Sequence, residues 1–252
     1  MIQLDSPSHT SLKAATDNEP TKNIKVATVN SHVSPWLAPL AYILVGGFVI
    51  PFYFSQIQVT GQENLPTSGP VILAPTHRSR WDSLLVGQVT GRWVTGRDPR
   101  FMVSVDETTG LQGWFVRRLG GFPVDTKHPS ISTLRHGVEV LQQGEILVIF
   151  PEGGNLRENQ KCRVNQLQPG LARLALQAES SQLNLGIKIV PICICYSNPT
   201  VPWRSKVKIS IGSPLNVTDY KTGSVKQDAK RLTQDLELVL KRLNAQHTGE
   251  GN

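Results

Sequence analysis

The sequence predicts a single α/β domain with a mixed sheet flanked by helices, preceded by an apolar segment that associates with membranes. Three observations predict it. From Gln58 onward, short apolar runs alternate with amphipathic stretches, in the periods of strands and helices. Turns rich in glycine and proline stand beside those runs, as in Gly120-Gly121-Phe122-Pro123 and Phe150-Pro151-Glu152-Gly153-Gly154. The chain has 252 residues with 39% hydrophobic content, enough for one large core.

Residues 1–33 are polar, without a sustained period, and read as a disordered tail. The first apolar run starts too late for a signal peptide and lacks a small-residue cleavage site. Residues 34–57 form the membrane-associating segment. Trp36 to Phe54 carries no charge. As one helix, its 19 residues would span about 28 Å, close to the roughly 30 Å of a hydrocarbon core. Pro39 and Pro51 bracket it, Gly46-Gly47 sit in its middle, and Pro51 removes a helical hydrogen bond to Gly47, which predicts a kink. Trp36, Phe52, Tyr53 and Phe54 stand at its ends, as at a membrane interface. Three placements stay open: an interfacial or re-entrant anchor, a single span, or a buried core helix.

The α/β domain is assigned to residues 58–247. Strands are predicted at Val71–Ala74, Phe101–Val105, Ile146–Phe150, Ile187–Cys195 and Val207–Ile211. Helices are predicted at Asp82–Val89, Leu111–Leu119, Ile131–Leu141 (stopped by Gly144) and from Pro169-Gly170 to about Glu179. After Ser224, a last helix puts Val225, Ala229, Leu232, Leu236, Leu240 and Leu243 on one face, as core packing demands.

The net charge is +7 and the isoelectric point near 9.5. That excess suits a partner carrying phosphate: nucleic acid, an anionic membrane or a phosphorylated metabolite. An aromatic content of 6% and the absence of zinc-type spacing argue against a nucleic-acid module. Cys162, Cys193 and Cys195 make no disulfide framework; Cys193 and Cys195 alternate along one strand as small core residues, which fits a reducing compartment.

The chemistry concentrates in Ala74-Pro-Thr-His-Arg-Ser-Arg-Trp-Asp-Ser-Leu-Leu85. On one continuous helix, His77 and Asp82 would diverge by about 140°. They meet if His77 lies on the loop after a strand and Asp82 opens the next helix, with Ser79 as its cap. A carboxylate then orients one imidazole nitrogen and leaves the other free to act as a general base. Backbone N–H groups near His77 would be available to a developing oxyanion. Asp82 also suits a plain helix N-terminus, with His77 an ordinary loop residue. Phe150-Pro151-Glu152-Gly153 follows a buried strand, where α/β folds place ligands; Glu152 suits a substrate hydroxyl or an arginine. It equally suits a simple strand-ending turn. Pro191, inside an apolar run, indicates an edge or a bulge.

His77-x4-Asp82, Gly121-Phe-Pro-Val-Asp125, Phe150-Pro-Glu-Gly153 and Val190-Pro191 stand in the order of the four sequence blocks of the glycerolipid acyltransferases. Over residues 58 to 215 the chain resembles the 1-acylglycerol-3-phosphate (lysophosphatidic acid) acyltransferases, and within them looks most similar to the cyanobacterial branch. The resemblance implies a membrane-associated enzyme with its catalytic domain on the cytoplasmic side. It would move an acyl group from acyl-CoA or acyl carrier protein to a lysolipid hydroxyl, with no other cofactor and no metal. By match, His77 is the base and Asp82 its partner; Gly121, Phe150, Pro151, Glu152 and Gly153 bind the acceptor; Pro191 lines a substrate site. The second block lacks its usual arginine, showing Thr126 and Lys127 instead, and the third reads Gly154-Asn155, with Arg157 two residues on. Arg78, Arg80, Lys127 and Arg157 are the candidates to take the phosphate in its place. A different head group, a basic membrane-binding module without catalysis, and a metal hydrolase are the competing readings.

Overall fold

The computed structural model describes residues 31–125, 129–153 and 164–248. Its chain opens with helix α1 (Leu37–Leu44), a π-helical turn (Val45–Val49) and helix α2 (Ile50–Tyr53). Strand β1 (Gln56–Thr60) follows, then β2 (Val71–Pro75), α3 (Asp82–Thr90), α4 (Arg92–Thr95), β3 (Arg100–Ser104), α5 (Gly110–Arg118) and β4 (Gly121–Val124). Next come α6 (Ile131–Gln142), β5 (Ile146–Val148), α7 (Gly170–Ser181), β6 (Lys188–Tyr196), β7 (Lys206–Ile211), β8 (Leu215–Asn216) and the long α8 (Val225–Thr248).

Among the described residues the sheet runs β1-β7-β6-β2-β5-β3-β4, with β8 beside β6. Strands β6, β2, β5, β3 and β4 are mutually parallel, whereas β7 and β8 pair antiparallel with β6. The sheet is mixed, as the sequence predicted. Parallel strands need cover on both faces, and β2 is buried along its length. Ile72 and Ala74 pack into the layer of α6, α7 and α8, while Val71 and Leu73 join α2 and α3 on the other face. The five parallel strands deliver their carboxyl ends to one edge of the sheet, where open α/β sheets bind ligands.

Pro191 does not mark an edge: β6 lies between β2 and β7. Its carbonyl accepts from Gly212 on the β7 side, and the β7 ladder begins only at Ile192 while β8 meets β6 at Lys188 and Ile189. The missing N–H thus faces the gap between two antiparallel partners, the position in a central strand where a proline removes no ladder bond.

The apolar N-terminal segment is broken where Gly46-Gly47 and Pro51 predicted a kink. Its π turn takes up the disruption ahead of the proline. A Cβ at Gly46 would meet the tip of the Gln88 side chain of α3, which would have to swing aside. Ala38, Ile50 and Phe54 are buried, whereas Trp36, Leu40, Ile43, Phe48 and Phe52 are exposed. The segment is therefore neither a buried core helix nor, within the described residues, long and apolar enough to cross a membrane. Of the tail assigned to residues 1–33, positions 1–30 lie outside the described residues. Ser31 bonds His136 at 2.8 Å and Val33 bridges Leu119.

The middle of the α8 stripe packs as expected: Ala229, Leu232, Leu236 and Leu240 are buried in the core with α7, whereas Val225, at the first turn, is 64% exposed and Leu243 is only partly buried. Leu236→Ala is expected to cost about 2–5 kcal/mol in urea unfolding, as large-to-small core substitutions do. Leu238→Ala on the same helix, 47% exposed, should stay within about 0.5 kcal/mol.

Candidate active site

Strand β2 ends at Pro75 and the chain turns through Thr76–Trp81 before α3 begins at Asp82. Thr76 fastens the turn to the neighbouring strand: its N–H donates to the Ile192 carbonyl at 2.9 Å, and its hydroxyl accepts from the Ile194 N–H at 2.9 Å. This loop-then-helix path lets residues five apart converge. His77 Nδ1 lies 3.0 Å from Asp82 Oδ2. A carboxylate only accepts, so this bond places the imidazole proton on Nδ1 and leaves Nε2 available. The Asp82 side chain is fully buried and that of His77 is 22% exposed.

Asp82 Oδ2 also receives the backbone N–H of Arg78 at 2.5 Å and of Ser79 at 2.7 Å. The Ser79 N–H bond to Asp82 is the return half of the expected capping box, but the Ser79 hydroxyl takes the Trp81 N–H at 3.4 Å, so the box is only half formed. The residue before the helix is Trp81, which offers no side-chain cap, and Asp82 instead closes the loop upstream of itself. The same two bonds commit the N–H groups of Arg78 and Ser79, in the loop before the helix, to the carboxylate. Oδ1 receives the Tyr196 hydroxyl at 2.5 Å, from the carboxyl end of β6. Burial and the Asp82 charge both push that phenol well above the ordinary tyrosine range, so it remains a donor. The sequence reading missed Tyr196. Its one signal is a lone polar tip closing the buried run Lys188–Tyr196 at the end of a strand.

Glu152, from the turn after β5, takes the arginine alternative. Arg78 Nη1 lies 2.7 Å from Glu152 Oε2, with both side chains buried, and Asn165 Nδ2 donates to the same oxygen at 3.1 Å. Arg78 and Glu152 are thus held on each other at this turn, one guanidinium nitrogen to one carboxylate oxygen. Phe150 lies against the His77 ring, centroids 4.3 Å apart. The Pro151 carbonyl accepts from Gln168 at 2.8 Å. Gly153 has φ +59°, a conformation that glycine adopts without strain.

Two cavities flank β3. One, of about 250 Å³, is walled by His77, Phe150, Pro151 and Gly153 with Met102, Leu134 and Leu174. The other, of about 530 Å³, lies on the opposite face among Arg80, Leu84, Val103, Phe115 and Gly121. Arg80 has a 78% exposed side chain and reaches Glu107 only at 3.9 Å. Gly121 has a packing role as well, since a side chain there would strike Val116 of α5. Pro191 lies in neither wall, being enclosed by its sheet neighbours. Lys127 and Arg157 lie outside the described residues. Among the described residues no group of three or more His, Cys, Asp or Glu side chains gathers as a metal site.

Comparison with known proteins gives the chain's relatives and its family. The chain is 25% identical over 158 residues to the 1-acyl-sn-glycerol-3-phosphate acyltransferase of Streptococcus pneumoniae, a match covering 60% of this chain and 52% of that protein. It spans only about half the length of that relative. It is 27% identical over 194 residues to the protein of the same name from Bacillus subtilis, covering 74% of this chain and 87% of the relative. The crystal structure of the 1-acyl-sn-glycerophosphate (LPA) acyltransferase PlsC from Thermotoga maritima shares the fold, with TM-score 0.65 and 18% identity over 84% of this chain and 79% of that one. A family model described as Acyltransferase matches residues 56–195, more than half of the chain and all of the strands that converge on His77. The chain belongs to the Acyltransferase family.

Proposed function

We propose that this enzyme transfers a fatty acyl group from a thioester to the free hydroxyl of 1-acyl-glycerol-3-phosphate, making phosphatidic acid. The observation that carries the chemistry is the His77–Asp82 pair at 3.0 Å, set in the wall of an apolar cavity. The names of the relatives support the acceptor. His77 Nε2 removes the acceptor's hydroxyl proton while Asp82 stabilises the imidazolium. The alkoxide attacks the thioester carbonyl, forming the new ester C–O bond. The C–S bond breaks, and the leaving thiolate takes the proton back from His77. No acyl-enzyme intervenes. The donor is acyl-CoA or acyl carrier protein, and no further cofactor enters the reaction. The 250 Å³ cavity beside His77 suits an acyl chain. Arg80, at the mouth of the larger cavity on the other face of β3, suits the acceptor's phosphate, with Lys127 and Arg157 as further candidates. The exposed apolar face of α1 and α2 would rest in the headgroup region of a bilayer, where both lipids are found.

A different lysolipid head group is the second reading, favoured by the departures at Thr126 and Asn155. The test is acyl transfer by the full chain in detergent to a panel of phosphate, phosphoglycerol, neutral and sugar lysolipids with both thioesters, beside His77→Ala. Transfer to lysophosphatidic acid, falling by about 10² to 10⁴ in the variant, is expected. Equal activity of the variant overturns the mechanism, and transfer to another acceptor alone overturns the substrate. Full-rate vesicle binding with no transfer to any acceptor would mark a non-catalytic membrane module.

Membrane docking has its own test. Phe48→Asp with Phe52→Asp, at positions 66% and 72% exposed, should release the protein from anionic vesicles in a flotation assay. Transfer to soluble short-chain substrates should persist. Retained flotation would place the docking surface elsewhere.

A further inference from the structure

The Asp82 carboxylate has two oxygens with different duties. Oδ2 faces the loop and takes His77 and two backbone N–H groups. Oδ1 takes the Tyr196 hydroxyl, which arrives from 114 residues away on the central strand. A carboxylate held on one oxygen can still rotate about its last bond, because that torsion is soft and broad. A donor on the second oxygen, fixed to a different element, defines the carboxylate plane and with it the position of Oδ2 against Nδ1.

Tyr196 is equipped for this. Its ring stacks on Phe54, centroids 6.0 Å apart at 27°, and Phe54 lies edge-on to Trp81, the residue before Asp82. Tyr53 packs on the same indole at 4.2 Å. The phenol is thus clamped between the end of α2 and the start of α3. Its hydroxyl is aimed at Oδ1, while the donors of the Thr76–Trp81 turn go to Oδ2. We propose that Tyr196 is a positioning residue for the His77–Asp82 pair. It holds the second carboxylate oxygen so that the first stays on His77 Nδ1. This rests on His77 acting as the base.

The groups around the hydroxyl set the expected sign. Asp82 faces it from α3, His77 and the Ser79 hydroxyl from the loop. The buried charges beside them, Arg78 and Glu152, are paired with each other. Tyr53, from α2, spends its hydroxyl on the Val201 carbonyl. Removing the Tyr196 donor leaves Asp82 less neutralised and a stronger partner for imidazolium. The acid limb of the pH–rate profile then moves to higher pH. A more acidic phenol does the opposite.

The tests use the full chain in detergent with the best acceptor of the panel. Tyr196→Phe is expected to lower kcat about tenfold, the size of one hydrogen bond to a charged group, with the KM of both substrates within about twofold. Its acid limb should move up. Site-specific 3-fluorotyrosine at 196 keeps ring and hydroxyl, so it reports even where Tyr196→Phe fails to fold; its acid limb should move down. Wild-type kcat and an unmoved limb in both variants overturn the proposal. So does a Tyr196→Phe that only loses folded protein while the fluorotyrosine limb stays in place. His77→Ala run alongside separates the two claims. If it keeps activity, the base assignment itself fails; if it is inactive while the Tyr196 variants are indifferent, only the role of Tyr196 fails.

Discussion

A single buried carboxylate organises this site. Taking an ionised carboxylate out of water costs several kcal/mol unless its lone pairs are filled. Asp82 fills them with four donors drawn from the loop behind it and from the central strand. The path of the chain from Thr76 to Trp81 follows from that demand. Two consecutive backbone N–H groups must point at one oxygen, and His77 is thereby delivered to the same atom. The N–H groups of Arg78 and Ser79 are consumed by Asp82, and the Arg78 guanidinium is carried inward to Glu152.

The Arg78–Glu152 pair gives the motif after β5 a structural meaning. Removing one partner of a buried ion pair leaves the other uncompensated, which costs far more than an exposed pair is worth. The pair ties the loop after β2 to the turn after β5, so that Phe150 comes to lie on the face of His77. His77, Asp82 and the cavity wall are held as one unit. On its other side the unit leans, through Trp81, on Tyr53 and Phe54, which end the apolar helix pair. The exposed apolar segment and the His77–Asp82 loop share one aromatic cluster.

Much of this was legible in the residues. The five-residue spacing of His77 and Asp82 excludes a shared helix face and leaves the strand–loop–helix path that the structure adopts. Gly46-Gly47 and Pro51 announced the break in the apolar segment, and the leucine stripe of the last helix announced its buried face. What was not legible depends on distance along the chain. Tyr196 is 114 residues from Asp82, and nothing in the apolar run ending in it says which carboxylate it will meet. Glu152 was legible as an arginine's partner, but not which arginine. Pro191 suggested an edge because a one-strand view cannot see that a central strand may change partners along its length. Ser79 had the spacing of a capping box, and only the return bond from its N–H to Asp82 forms.

The central claim is that Asp82 fixes His77 with its proton on Nδ1 and Nε2 free for the acceptor. The most direct measurement is the tautomer of His77 in the folded protein, by NMR of ¹⁵N-labelled histidine at a pH where the ring is neutral. Assignment of the resonance comes from His77→Ala. A protonated Nδ1 and a bare Nε2 are predicted. A neutral ring with its proton on Nε2 would contradict the account, because the nitrogen meant to act as base would already carry a proton.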